Sequence, residues 1–213
     1  MDDRLTALAD AVIAGRYAEA AELTRTVIDA GVAPKMILDD GLIAGMNVVG
    51  QRFGAHEIFL PDVLLAAKAM YAGMDLLQPL LEARGIAPRG KIVLGTVRGD
   101  LHDIGKNLVG IMLRGAGFEV IDLGHDVAPE RMVEVARDEG AIIIGMSALL
   151  TTTMPVMREV VDRLREAHLD ADVKTLVGGA PVTEEFANEI GADAYAYDAA
   201  NAVEVVKRLS DTR

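Results

Sequence analysis

From Asp2 to about Arg84 the apolar residues recur at helical spacing. Leu5, Leu8, Ala9 and Val12 stand three and four apart, on one face of a helix that Gly15 ends. Tyr17 to Ala30 reads as a second helix, with Ala18, Ala21, Leu23 and Val27 apolar and Gly31 as its C-cap. Pro34 fits the first turn of a third helix running toward Phe53. Gly54-Ala55-His56-Glu57 breaks the pattern, and Pro61 fits the start of a fourth helix that continues to about Ala83. Four helices with short connections predict a small antiparallel bundle. Met36, Met46, Met70 and Met74 fall at helical positions and are expected in its core.

After Gly85 the rhythm changes. Strand-like runs at Lys91–Val97, Phe118–Leu123, Ala141–Met146, Lys174–Val177 and Ala194–Tyr197 alternate with helical patterns. Those helices are expected at Ile104–Arg114, Pro129–Asp138, Pro155–Ala167, Thr183–Glu189 and Ala200–Leu209. Such alternation predicts an α/β unit with a parallel sheet covered on both faces. Five strands suit the flavodoxin-like (Rossmann-like) order 2-1-3-4-5, with ligands beyond the carboxyl ends of the strands where the order reverses. The expected domains are a helical cap over 1–85, a linker over 86–90 and the α/β domain over 91–213.

Composition narrows the function. With 21 Lys+Arg against 33 Asp+Glu the formal net charge is -12. The basic residues are scattered, so a nucleic-acid partner is not expected. With no cysteine, disulfides, thiolate metal sites and thiol nucleophiles are excluded, which fits a cytoplasmic protein. The richest apolar stretches are interrupted by charge or Gly within roughly the 18 residues a bilayer demands, so no membrane span is expected. The acidic start Met1-Asp2-Asp3-Arg4 is unlike a secretory signal.

The chemistry concentrates in the turn after the first strand, Arg98-Gly99-Asp100-Leu101-His102-Asp103-Ile104-Gly105-Lys106-Asn107. Asp100 or Asp103 could cap the following helix, Gly105 could serve helix–sheet packing, and His102 could be a loop histidine. Alternatively, Asp100 and His102 lie on one side of a non-helical loop. A neutral imidazole there binds a metal through one nitrogen while the other donates to the carboxylate. No second His or Cys stands nearby, so a zinc cage is not available. One His with one carboxylate suits a metal already held by a macrocycle. Three later features add polar or glycine-rich turns: Gly145-Met146-Ser147-Ala148-Leu149-Leu150-Thr151-Thr152-Thr153, Gly178-Gly179-Ala180-Pro181, and Ala199 after the fifth strand. Each alone also fits an ordinary capping or αβ turn.

Asp100-x-His102-x-x-Gly105 resembles the Asp-x-His-x-x-Gly signature of cobalamin-binding domains. Asp100 through Asn107 is close to the version found in cobalamin-dependent methyltransferases. The bundle is similar to the helical cap of these proteins, best over Gly45–Phe53 and Ile58–Pro61, so the resemblance covers nearly the whole chain. It implies a cobalamin cofactor with its own base displaced, cycling between methylcobalamin and a Co(I) corrinoid, and His102 as lower axial ligand to cobalt. Gly99, Asp100, Leu101, His102, Asp103, Ile104 and Gly105 would form the ligand loop, and Ser147, Leu149 and Thr151 would line the tail pocket. Gly178 and Gly179 would let the backbone approach the bound group, and Ala199 would lie near its tail. Thr153 stands where the family often has a Ser bonded to the Asp, completing a relay of His102, Asp100 and Thr153. Phe53 and Leu60 match residues that cover the upper face of the corrin, and Asp39 a position that can hold a Glu facing it.

The resemblance implies a methyl carrier rather than a complete enzyme, since no room remains for a barrel of about 250 residues. Its implied partners are a substrate-specific methyltransferase, an acceptor methyltransferase of folate or thiol type, and a reductive activase. Methylamines, methanol, aromatic methyl ethers and betaines all fit as donors. Residues 85–90 are expected to act as a hinge for the cap. His125, after the second strand, is expected in a solvated turn. A cobalamin-dependent sensor is the alternative, but no helix-turn-helix module or basic face accompanies the bundle.

Overall fold

The computed structural model describes residues 2–211. The chain divides at Pro88–Arg89 into two compact units, with Gly115–Gly117 grouped with the first.

The first unit is helical. Helices α1 (Asp3–Ile13), α2 (Tyr17–Asp29), α3 (Pro34–Met36), α4 (Ala44–Gly54) and α5 (Leu60–Ala83) are joined by short turns. The third expected helix is one helical path with an irregular middle, because Ile37–Ile43 is a π-helix between α3 and α4. The wider turn coincides with Gly41, where a Cβ would stand 2.8 Å from Leu8 Cδ2. Leu5, Leu8, Ile37, Leu42 and Leu77 are fully buried and centre the core. Met46 and Met70 are buried with them, but Met36 is 48% exposed and is not core. It closes the single turn that Pro34 opens, on the outward side. At the start of α5 the Asp62 carboxylate accepts the Phe59 N–H at 2.8 Å, satisfying one donor at the helix entrance.

The second unit alternates β1 (Lys91–Thr96), α6 (Ile104–Gly115), β2 (Glu119–Asp122), α7 (Pro129–Glu139), β3 (Ile143–Ser147), α8 (Pro155–Glu166), β4 (Lys174–Gly178), α9 (Glu184–Ile190), β5 (Ala194–Ala196) and α10 (Ala199–Asp211). All neighbouring strands are parallel and the order is β2-β1-β3-β4-β5, as the sequence pattern predicts. β3 starts later than its apolar run. Gly140 caps α7 in the left-handed conformation, and the Ala141 N–H still bonds the Ala136 carbonyl at 2.8 Å. Val93, Ile144 and Val177 of the strands bury against Met132, Met157, Val160 and Leu164 of α7 and α8.

Register places the chemistry. Thr96 pairs with Ser147, Ser147 with Gly178, and Gly178 with Ala196. The carboxyl ends of four strands are therefore level, and their turns leave the sheet side by side. The order reverses between β1 and β3, the place where such sheets open a crevice.

Candidate functional site

Asp100 lies in the segment after β1 that carries no helix or strand, and it is 0% exposed. Its carboxylate is saturated with donors. Oδ1 accepts from the His102 N–H at 3.0 Å and from His102 Nδ1 at 2.8 Å. Oδ2 accepts from the Leu149 N–H at 2.7 Å, the Leu150 N–H at 3.1 Å and Thr153 Oγ1 at 2.8 Å. The Leu150 carbonyl also lies 2.8 Å from that hydroxyl, but a hydroxyl has one proton and the ionised acceptor holds it more strongly. Burial pushes the Asp100 carboxyl upward. The hydrogen bonds from the His102 and Leu149 amides, the His102 ring and Thr153 outweigh it and hold the group well below the usual carboxylate range.

An ionised Asp100 only accepts, so Nδ1 of His102 carries a proton, and in the neutral imidazole Nε2 is the nitrogen left to coordinate. The His102 side chain is 53% exposed, which leaves it accessible to a ligand. Thr96 Oγ1 donates to the His102 carbonyl at 3.1 Å and ties the loop back to the end of β1. The imidazole is thus tautomer-selected and oriented through both its ring and its backbone, an arrangement suited to a single axial metal ligand. Among the described residues no group of three or more His, Asp or Glu converges as a metal cage would.

Apolar, exposed residues flank this pair: Leu101, Leu149 and Leu150 in the turns after β1 and β3, and Ile104 at the start of α6. Gly105, in the first turn of α6, would present a Cβ to open space. An apolar, uncovered rim beside a free imidazole nitrogen fits a broad macrocycle bearing its own metal.

The other expected residues are distributed as follows. Ser147 ends β3, opposite Thr96 and Gly178, and Thr151 is exposed in the β3–α8 turn. The Asp103 carbonyl accepts from the Asn107 N–H at 2.7 Å at the start of α6. Gly179 has φ +130, and a Cβ there would lie 1.9 Å from the Ala148 carbonyl oxygen. What this glycine approaches is thus the chain's own β3–α8 turn, the one that supplies two amides to Asp100. Ala199 is buried at the start of α10. Phe53 is half-buried in α4 and Leu60 is exposed at the start of α5, both in the helical unit. Asp39 lies in the π-helix, paired with Lys35 at 2.8 Å.

Three supports were not evident from sequence. Thr96 is one. The second is Lys106, buried and paired with Asp122 of β2 and, at 2.7 Å, with Asn107 Oδ1. The third is Asp126, whose Oδ1 accepts from the Gly99 N–H at 2.7 Å. No local signal marks them, since Asp126 and Gly99 are 27 residues apart and Lys106 and Asp122 are 16 apart.

Comparison with known proteins places this geometry in a family. Two B12 binding domain models match, one over residues 4–78 and one over 90–207. The chain is 44% identical over 208 residues to a corrinoid protein of Desulfitobacterium hafniense (strain Y51), covering 96% of each. It is 49% identical over 177 residues to dimethylamine corrinoid protein 1 of Methanosarcina acetivorans, covering 83% of each. Among solved structures it resembles a chain of the methanol:cobalamin methyltransferase complex MtaBC from Methanosarcina barkeri. There the TM-score is 0.89 at 32% identity, covering 100% of this chain and 81% of that one. The chain belongs to the corrinoid proteins, in which a helical cap and a B12-binding sheet domain hold a cobalamin-type cofactor that carries a methyl group.

Proposed function

We propose that this corrinoid protein receives a methyl group from a methyltransferase specific for a methylated amine and delivers it to a second methyltransferase that methylates a thiol- or folate-type acceptor. The donor class is supported by the relatives, several of which are named for dimethylamine or trimethylamine. The partner class is supported by the methanol:cobalamin methyltransferase complex that this chain resembles. When bound, the corrinoid cobalt supplies the nucleophile that takes up and releases the methyl group.

The observation that carries the reading is the exposed His102 ring with its Nδ1 held by Asp100 at 2.8 Å, which directs Nε2 of the neutral imidazole to a ligand. His102 would hold the cobalt, Asp100 fixes the tautomer of the ring, and Thr153 with the Leu149 and Leu150 amides keeps Asp100 ionised. Leu101, Ile104 and Leu149 give an apolar seat, and Gly105 leaves room for it. Ser147 and Thr151 lie at and just after the end of β3, beside the switch point, while Gly178 and Ala199 lie at and just after the carboxyl ends of β4 and β5, along which a nucleotide tail would run. Residues 85–90, which form neither helix nor strand, act as the hinge.

The test is an absorption spectrum of the purified chain reconstituted with hydroxocobalamin. His102→Ala is expected to lose the axial imidazole, shift the cobalt spectrum and retain less corrinoid. A spectrum identical to the parent's would reject His102 as the ligand. Methyl transfer to the reconstituted protein, assayed in parallel with monomethylamine, dimethylamine, trimethylamine and methanol methyltransferases, decides the donor class. Exclusive response to the methanol enzyme would reject the amine assignment.

A further inference from the structure

We infer that the turn between β2 and α7 positions the axial-ligand loop, with Asp126 as its principal positioning residue. The inference rests on the reading of His102 as the cobalt ligand and adds a residue that this reading does not require.

Residues 97–103 lie between β1 and α6 and form no helix or strand of their own. The donors converging on Asp100 fix its carboxylate, but none of them fixes the chain just before it. There stands Gly99, exposed and with φ +84, the residue type with the most backbone freedom. Asp126 holds that stretch at two points. Its Oδ1 accepts the Gly99 N–H at 2.7 Å, and its own N–H donates to the Asp100 carbonyl at 3.0 Å. Both flanks of the peptide joining Gly99 to Asp100 are thereby tied to one residue on the neighbouring turn. The isolated bridge Val97↔Val127 brings the two segments alongside each other.

The same turn grips the loop a second time, downstream of His102. Asp122 at the end of β2 pairs with the buried Lys106 ammonium in the first turn of α6. Asp122 Oδ1 also accepts the Gly124 N–H at 2.9 Å, which folds the turn back toward Asp126. Two carboxylates four residues apart therefore hold the loop before Asp100 and after His102. Asp126 adopts φ +54, a left-handed conformation that costs an ordinary side chain energy. Short polar residues occupy it by bonding their own neighbours, whereas this carboxylate bonds a segment 27 residues away. A turn that needed only the backbone shape would be met by glycine.

Two variants of the full chain separate the carboxylate from the backbone shape. Asp126→Gly removes the acceptor, relieves the left-handed strain and keeps the N–H that reaches Asp100. Asp126→Asn keeps an amide oxygen for the Gly99 N–H and tolerates the same conformation. The first readout uses the apo-protein: nitrogen NMR of the imidazole, in which the parent shows the Nδ1–H tautomer. The second is the nitrogen splitting of the axial ligand in the paramagnetic resonance spectrum after loading with cob(II)alamin. Asp126→Gly is expected to mix the His102 tautomers, diminish the axial-nitrogen signal and weaken corrinoid retention about tenfold, the scale of one charge-assisted hydrogen bond. Asp126→Asn is expected to stay near the parent. An Asp126→Gly protein that matches the parent in both readouts overturns the inference, as does an Asn variant as impaired as the Gly one. Should Asp126→Gly not fold, hydrogen exchange of the Gly99 amide in the parent decides: a protected amide supports the hold by Asp126, and exchange at the rate of a free amide overturns it. A parent protein lacking the axial-nitrogen signal rejects His102 as ligand instead, so the two failures are distinguishable.

Discussion

Among the described residues six polar or charged side chains are buried. Thr24 is in the cap, and Thr96, Asp100, Lys106, Thr153 and Thr175 are in the α/β unit. Thr24 Oγ1 donates to the Ala20 carbonyl one turn back in its own helix, so the cap core is held by apolar packing with one locally satisfied hydroxyl. In the α/β unit most of the buried polar groups join segments distant in sequence, and Thr96 ties β1 to the loop that follows it. Even there two kinds occur. Thr175, at the amino-terminal part of β4, forms a closed pair with Asp193: its N–H and Oγ1 each lie 2.8 Å from Asp193 Oδ2. Asp100 is as fully bonded, yet its partner His102 retains one bare nitrogen on an exposed ring. Buried polarity alone therefore does not mark a site. A saturated anchor that leaves its partner with a free coordinating atom does.

The largest test of this contrast is Asp100→Ala, which strands several donors and is expected to cost about 4 kcal/mol in urea unfolding. Its pH signature follows from the depressed carboxyl. The stabilisation it gives is present above the unfolded-state value of about 4 and is lost as pH falls below it. The parent should therefore lose stability on acidification more steeply than Asp100→Asn, and equal slopes would remove Asp100 as the acid-sensitive anchor. Next comes Leu8→Ala in the cap, expected to cost about 3 kcal/mol by opening a cavity. It should leave the His102 tautomer unchanged; altered imidazole resonances would contradict the division between packing and anchoring.

The finest test is one substitution made in both regions. Thr153→Val removes a donor to an ionised oxygen and should cost about 2 kcal/mol, whereas Thr153→Ser should restore most of it. Thr24→Val removes only a bond to a carbonyl within its own helix and should change stability by less than about 0.5 kcal/mol. Comparable losses at the two threonines would erase the distinction.

Helices and strands were readable because apolar spacing records them, and the strand order because five strands alternating with helices suit the flavodoxin-like arrangement. The π-helix at Ile37–Ile43 was not, since a change in hydrogen-bond partner leaves the pattern of apolar residues nearly intact. Asp100 and His102 announce their pairing by being two residues apart in a turn, and their hydrogen bond is local. The amides of Leu149 and Leu150 carry no side-chain signature, because what matters is the backbone that Gly179 allows to pass close to Ala148. Asp126 and Lys106 meet their partners only once β1 and β2 are neighbours.

The unfilled space at Gly105 separates two properties that most buried positions combine. A methyl group added there meets no protein atom within 4 Å, and alanine suits a helical first turn better than glycine. Folding would tolerate such a change, while anything resting against the start of α6 would feel the added bulk. That makes residue 105 a dial on occupant size, adjustable by evolution or by design without rebuilding the scaffold around it.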